Sequence, residues 1–197
     1  MIPVLSALLL CACGGPPTEQ VLPLPAAAVF TGVELAWPAG ALVLHAARAE
    51  AADPERGVAT EVEATADGGG GAELQIRAAR ASWDLDQQSV VFAGAVEARH
   101  GEFTLTCEHL EARFDSPERL VSAEARGQVR VLHRGRVASG EHALLDVPAA
   151  RLELTGVPSL QDGRRTLSGE RIVLYLDETR LECERCTLAV APAAAEP

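Results

Sequence analysis

Two carboxylates, Asp84 and Asp86, lie one residue apart in the stretch ASWDLDQQSVVFAG, residues 81–94. Paired carboxylates are the acid and base of glycosidases, so this stretch is a first candidate for chemistry. The other acidic residues are spread along the chain, and neither a GxSxG nor an HExxH motif occurs. His100 and His133 precede turn glycines, and we expect both to be solvated. We therefore predict that the protein is not an enzyme, that it uses no cofactor, and that the aspartate pair belongs to a turn.

Composition narrows the class of protein. The 197 residues are 48% hydrophobic and 23% charged, which is typical of a globular chain with one sizeable core. The formal net charge is −11, and no cluster of Lys and Arg interleaved with aromatic residues offers a surface for a phosphate backbone. We therefore expect no nucleic-acid partner.

The N-terminal region predicts a lipid anchor. Residues 2–13, IPVLSALLLCAC, are apolar but too few to span a bilayer, which takes roughly 20 residues. The end of this run resembles a bacterial lipoprotein lipobox, in which cleavage before Cys13 leaves a thiol for diacylglycerol. Four prolines within residues 14–28 indicate a semi-rigid tether. We assign residues 1–12 to a signal segment, 13–28 to the anchor and tether, 29–190 to the folded domain and 191–197 to a disordered tail.

A repeat organises the folded domain. Five of the eight aspartates recur every 31 residues, at Asp53, Asp84, Asp115, Asp146 and Asp177. A period in the range of roughly 20–50 residues is typical of repeated structural units. Alternation predicts strands, since Val129 and Val131 share one face with Arg130 between them. We predict an all-β fold of about five two-strand units, and we include the Ala- and Glu-rich segment 46–66 in it despite its helical propensity.

Three longer segments resemble the OstA-like family of lipopolysaccharide transport, which includes LptA, LptC and the periplasmic domain of LptD. They are VEARHGEFTLTCEHLEARFD, ARGQVRVLHRGRVASGEHALLDVPAARLELTGVPSLQDG and RTLSGERIVLYLDETRLE. The elements that carry the resemblance include G-x-V, at Gly94 and Gly127, and LxLTGxPxLxxG, from Leu152 to Gly163. The opening segment FTGVELAWPAGALVLHAARAE is similar to the first hairpin of LptC. The resemblance implies a single twisted, boat-shaped jellyroll of antiparallel strands, open along one side.

The same resemblance implies a role in lipopolysaccharide export. In this family the inward aliphatic side chains hold the acyl chains of lipid A, each methylene contributing about 0.8 kcal/mol on burial. No GxxxxGK[ST] motif is present, so directional transport would depend on an inner-membrane ABC transporter as a partner. The resemblance assigns the lipid-binding groove to Phe103, Leu105, Val129, Val131, Leu152, Leu154, Ile172, Leu174 and Leu176.

Docking and location also follow from the resemblance. Unpaired edge strands of one jellyroll pair with the next, and we nominate the hairpin Val33–Leu44 and the last strand Leu181–Val190 as these edges. We expect a periplasmic protein anchored through Cys13. The LptC-like first hairpin favours the inner membrane, whereas Gly14 after the anchor favours the outer membrane.

Two other classes of function compete with this interpretation. A β-roll scaffold or filament subunit of the envelope would use the same repeat, but would have a tightly packed interior without a lipid-sized cavity. A carbohydrate-binding β-domain would need exposed aromatic residues, and only 4% of the chain is aromatic.

Three cysteines lie in the predicted domain: Cys107, Cys183 and Cys186. In an oxidising periplasm we expect a disulfide from Cys107 to Cys183 or Cys186, or within the CxxC segment after a bulge. On a regular strand the two thiols of that segment would point to opposite faces. Cys107 and His109 would share a face and could bind zinc with them. Structural zinc sites usually present two short knuckles, so we predict no metal.

Overall fold

The structure is a computed structural model that describes residues 28–36, 42–53, 55–67, 73–116, 119–178 and 180–191. Within these ranges the regular secondary structure is entirely β-strand, as predicted. The strands are β1 (Ala28–Ala36), β2 (Leu42–Asp53), β3 (Arg56–Asp67), β4 (Glu73–Asp84), β5 (Ser89–His100), β6 (Phe103–Ser116), β7 (Arg119–His133), β8 (Arg136–Asp146), β9 (Arg151–Thr155), β10 (Ser159–Asp162), β11 (Arg165–Ser168), β12 (Arg171–Tyr175), β13 (Leu181–Glu184) and β14 (Thr187–Val190).

The predicted signal segment, Cys13 and nearly all of the tether and tail lie outside the described residues. Where the chain is described, it contains no helix of the length and apolarity that a bilayer crossing requires. The segment 46–66 forms most of β2 and β3. Its assignment to strands is therefore confirmed.

All strands pair antiparallel in one sheet. From β1 to β8 each strand pairs with its neighbour in sequence, and the sheet then divides. The first half of β8 continues into β10, β11 and β14, whereas its second half continues into β9, β12 and β13. This arrangement is the predicted open, antiparallel jellyroll.

A line of interrupted pairing, here called the crease, crosses every long strand. The pairing skips Gly32 in β1 and Glu61 in β3, and its register shifts by one residue at the middle of β4 to β8. Residues with positive φ mark the crease on alternate strands, at Gly32, Glu61, Gly94, Ala95, Gly127, Gln128, Gly156, Val157 and Arg185. Bulges of this kind bend a strand sharply. Each long strand therefore contributes one half to each of two walls that meet at the crease.

We name the two walls by their residues. The first wall contains residues 42–46, 62–66, 74–78, 96–107 and 129–140 with β10, β11 and β14. The second wall contains residues 48–53, 56–60, 80–93, 109–126 and 142–146 with β9, β12 and β13. The junctions β9–β10, β11–β12 and β13–β14 cross the crease, so each of these pairs acts as one bent strand.

The aspartate column lies along the rim of the second wall, where strands end. The Asp84 carboxylate accepts the backbone N–H of Gln87 (3.0 Å), and Asp146 accepts that of Ala149 (3.1 Å). The Gln87 N–H, with help from Arg56, holds the pKa of Asp84 below its usual value. Arg56 bonds to both Asp84 and Asp86. The opening aspartate pair therefore belongs to a turn, as predicted, and each 31-residue unit is one pair of strands.

One continuous core fills the space between the walls. Leu44, Ala64, Phe92, Leu154 and Ile172 have no exposed surface. Among the described residues no polar or charged residue is buried. The two walls are therefore held together by apolar contacts.

An ion-pair network on the outer face of the second wall joins β9, β12 and β13. Arg171 donates from Nε and Nη2 to the two carboxylate oxygens of Glu153 (2.6 and 2.7 Å) and from Nη1 to Glu184 (3.0 Å). Arg151 donates a further bond to Glu153 (2.7 Å). The bond from Arg171 is the main reason that the pKa of Glu153 lies below its usual value.

We expect Glu153→Gln to lower the free energy of unfolding by about 1 kcal/mol at pH 7, since the network is partly exposed to solvent. A carboxylate whose pKa is lowered by folding stabilises the protein fully above its unfolded pKa of about 4.3 and loses this effect as the pH falls through the folded pKa. Urea denaturation at pH 7 and pH 3 should therefore show a difference from wild type that shrinks at low pH. The control is Glu34→Gln, because the Glu34 side chain is 67% exposed. A difference independent of pH would contradict the charge-based explanation.

Candidate functional site

The nine residues predicted to form the groove all face the space between the walls. Seven are buried and belong to the core: Leu105, Val129, Val131, Leu152, Leu154, Ile172 and Leu174. Phe103 and Leu176 are partly buried and pack against the same core. Their contact with lipid stays a prediction. In this structure most of them pack against one another rather than line an open trough.

A cavity of about 100 Å³ lies between the walls on the side opposite the crease. Its apolar surface comes from Val131, Ala138 and Leu160 on the first wall and from Leu174 and Leu176 on the second. Polar residues surround its mouth at the β7–β8 turn and the β12–β13 loop: His133, Arg134, Arg136, Glu178 and Arg180. An apolar cavity of about 150 Å³ holds one benzene molecule, so this one has room for only a few methylene groups.

Ion pairs and ring contacts order the mouth of the cavity. Arg136 donates to Asp162 (3.0 Å), while Arg180 contacts Glu182 (3.2 Å) and lies 3.7 Å from the centre of the Tyr175 ring. The mouth therefore carries both positively and negatively charged side chains, and its arginine side chains lie beside the apolar surface of the cavity.

The histidines that precede turn glycines are less solvated than expected. Both ring nitrogens of His133 and Nε2 of His100 are buried without a hydrogen-bond partner. Phe103 of β6 pairs in register with His100 of β5 on one side and with His133 of β7 on the other. The ring centres of Phe103 and His133 lie 6.1 Å apart. The expectation of solvated side chains was therefore wrong for both ring nitrogens of His133 and for Nε2 of His100.

The described parts of both predicted docking segments include edge strands of the sheet, whereas residues 37–41 of the first segment lie outside the described residues. Within the described residues β1 pairs only with β2, β13 only with β12, and β14 only with β11. Large apolar side chains on these strands face solvent: Val29 and Phe30 on β1, and Leu188 and Val190 on β14. Unpaired N–H and C=O groups at such edges can accept a strand from another sheet.

The structure contains the local disulfide, between Cys183 and Cys186, with their Cα atoms 6.0 Å apart. Cys107 is free and buried, and burial raises the pKa of its thiol to about 11. This is the alternative of a disulfide within the CxxC segment after a bulge, and it is possible because the chain crosses the crease at Arg185.

The crease also separates Cys107 and His109, which were expected to share one face of a strand. Cys107 is buried whereas His109 is exposed, because the register shifts between Thr106 and His109. No group of three potential metal ligands occurs among the described residues.

Some interior residues were not singled out from the sequence. Leu44, Ile76 and Leu160 are as deeply buried as the predicted groove residues. The period-2 alternation of β4 was the signal that could have identified Ile76. The charged residues around the cavity gave no comparable signal, because the approach of two loops places them together.

A creased jellyroll with an aliphatic interior and, in the part of the chain that the structure describes, two unpaired edges defines the class of protein. A family model described as "LptA/(LptD N-terminal domain) LPS transport protein" matches residues 75–180. The chain belongs to this family of lipopolysaccharide transport proteins. Among solved structures, it is similar to LptH, described as the LptA homologous periplasmic component of the lipopolysaccharide transport device of Pseudomonas aeruginosa. The TM-score is 0.56 at 17% identity, over 60% of this chain and 95% of LptH. None of the curated proteins matches the sequence.

Proposed function

We propose that this protein is a periplasmic lipopolysaccharide-binding component of the export bridge. The observation that carries the proposal is the aliphatic interior between two walls, with a cavity on the side opposite the crease. Membership of a lipopolysaccharide transport family supports the same substrate. The role is non-enzymatic, since carrying a lipid requires only a surface that binds and releases it.

Acyl chains enter by separating the walls along their open side. No buried polar side chain of the described part links the two walls. Insertion of a lipid therefore replaces contacts between the apolar side chains of the two walls by contacts between these side chains and the acyl chains. Each methylene that is removed from water contributes about 0.8 kcal/mol to binding. The cavity beside Val131 and Leu174 is the point of entry.

Transfer along the bridge uses the two edges of the sheet. β1 and the bent strand β13–β14 each pair with a neighbouring jellyroll, so that the apolar interior continues from one protein to the next. We propose an LptC-like role in which Cys13 anchors the chain to the inner membrane beside an ABC transporter. This assignment rests on the first hairpin and the lipobox, which lie outside the matched residues 75–180.

Photocrosslinking tests the lipid-binding interior. A photoreactive residue at Val131 or Leu174 should capture lipopolysaccharide at least about tenfold more than one at Leu132, because only the inner positions lie in the apolar interior where acyl chains would be buried. Leu132 is a matched control, because it is the apolar neighbour of Val131 in β7 and is 43% exposed on the outer face. Lipopolysaccharide covalently joined to the protein is measured by gel shift and immunoblot. Equal capture at the inner and outer positions would contradict lipid binding between the walls.

The packed interior favours a second candidate, a β-roll scaffold of the cell envelope. The groove residues contact one another, and the cavity between them is smaller than an acyl chain. A scaffold would self-assemble through its edges and keep its walls closed. It predicts no lipopolysaccharide capture at Val131, together with protein–protein crosslinks at Phe30 and Leu188.

A further inference from the structure

The Cys183–Cys186 disulfide spans the crease on the last strand of the sheet. Cys183 lies in β13 on the second wall, and Cys186 directly precedes β14 on the first wall. Arg185 between them has a φ of 51°. Glu61, Ala95, Gln128 and Val157 adopt similar φ angles elsewhere at the crease, and a residue with a Cβ adopts this left-handed conformation unfavourably. Where the crease crosses the last strand, a residue in an unfavourable backbone conformation is therefore combined with a covalent link.

Little else holds β14 in place. It pairs through four residues with β11 and has no described neighbour on its other side. Leu188 and Val190 are 61% and 60% exposed, so the strand buries little apolar surface. Segments with few buried contacts open at the lowest cost in free energy.

Contacts around the disulfide connect this crease to the preceding strand. A Cβ built on Gly169, between β11 and β12, would lie 3.0 and 3.2 Å from the two sulfur atoms. The Glu170 N–H donates to the Glu184 carbonyl (3.0 Å), and Arg185 donates to the Glu170 carboxylate (2.6 Å). The disulfide therefore fixes the direction in which β14 leaves the crease to meet β11.

We propose that this disulfide is a redox-sensitive clasp that keeps β14 aligned as a docking edge. Reduction by a dithiol protein transfers two electrons and two protons to the sulfur atoms, giving two thiols while the dithiol becomes a disulfide. Arg185 then relaxes to an extended conformation and β14 separates from β11. The consequence for docking rests on the edge pairing proposed above, whereas the consequence for β14 does not.

Amide hydrogen exchange on the full chain tests the clasp directly. Amides of β14 should exchange at least about tenfold faster in Cys183→Ser/Cys186→Ser than in the oxidised wild type, whereas β2 and β3 should be unchanged. Adding Arg185→Gly to the double variant should slow the exchange again, because glycine adopts positive φ without the steric cost. Equal exchange of β14 in the wild type and the double variant would overturn the proposal, as would failure of the glycine to slow it.

Docking is measured separately with a photoreactive residue at Leu188 and the purified LptA-family jellyroll of the same organism. The oxidised wild type should crosslink at least about tenfold more than the double serine variant. Equal crosslinking of both would overturn the clasp and leave edge docking intact. Absence of crosslinking in both would overturn edge docking, while the exchange experiment would still decide the behaviour of β14.

Discussion

Replacing Phe92 with alanine should lower the free energy of unfolding by about 3–5 kcal/mol, the usual cost of removing a fully buried aromatic ring. Phe92 lies in the second wall and has no exposed surface. In register it lies between Ala81 of β4 and Leu110 of β6. Ala81 is too small to fill the space that the ring would leave. Denaturation by urea, followed by circular dichroism, gives the free energy for each variant.

The matched control is Val91→Ala, one residue earlier in the same strand. Val91 is only partly buried and lies on the opposite face of the sheet, so we expect its replacement to cost under about 1 kcal/mol. The comparison also shows whether the interior between the walls is closed before lipid binds. If Phe92→Ala costs no more than Val91→Ala, the walls are apart in solution and the ring already contacts water. That outcome would contradict the closed interior and would favour a trough that is open before lipid arrives.

Much of the fold was predictable because its signals are local. The aspartates report strand ends every 31 residues, and the alternation around Val129 and Val131 reports an inner and an outer face. The segment 46–66 was correctly assigned against its helical propensity, since pairing with neighbouring strands outweighs an intrinsic preference of less than about 1 kcal/mol per residue.

The error about Cys107 and His109 has a physical cause, which is the crease. Their expected shared face assumed uninterrupted alternation along a strand. A bulge adds one residue to one strand, so every side chain beyond it changes face relative to a simple count. Glycines at positive φ occur both at the crease, as at Gly127, and in hairpin turns, as at Gly135. Only the paired strand distinguishes the two, and a single sequence does not contain the pairing.

Gly127 and Gly135 provide a test of the crease, because their φ angles are nearly equal at 78° and 76°. We expect Gly127→Ala to cost about 2–5 kcal/mol, which combines the left-handed penalty of about 1–2 kcal/mol with crowding of about 1–3 kcal/mol. A Cβ at Gly127 would lie 2.9 Å from Cβ of Glu108, close to the backbone of β6. At Gly135 no atom lies within 4 Å of the added Cβ, so we expect only the backbone penalty there.

The difference between the two variants therefore isolates the close approach of β6 and β7 at the crease. Urea denaturation of both, measured beside the wild type, gives this difference without a separate estimate of the glycine backbone effect. A bent strand pair brings Gly127 against Glu108, whereas a flat sheet would leave both glycines equally free of neighbours. Equal costs for Gly127→Ala and Gly135→Ala would thus contradict the crease itself. Without the crease, the two walls could not face each other to enclose an apolar interior.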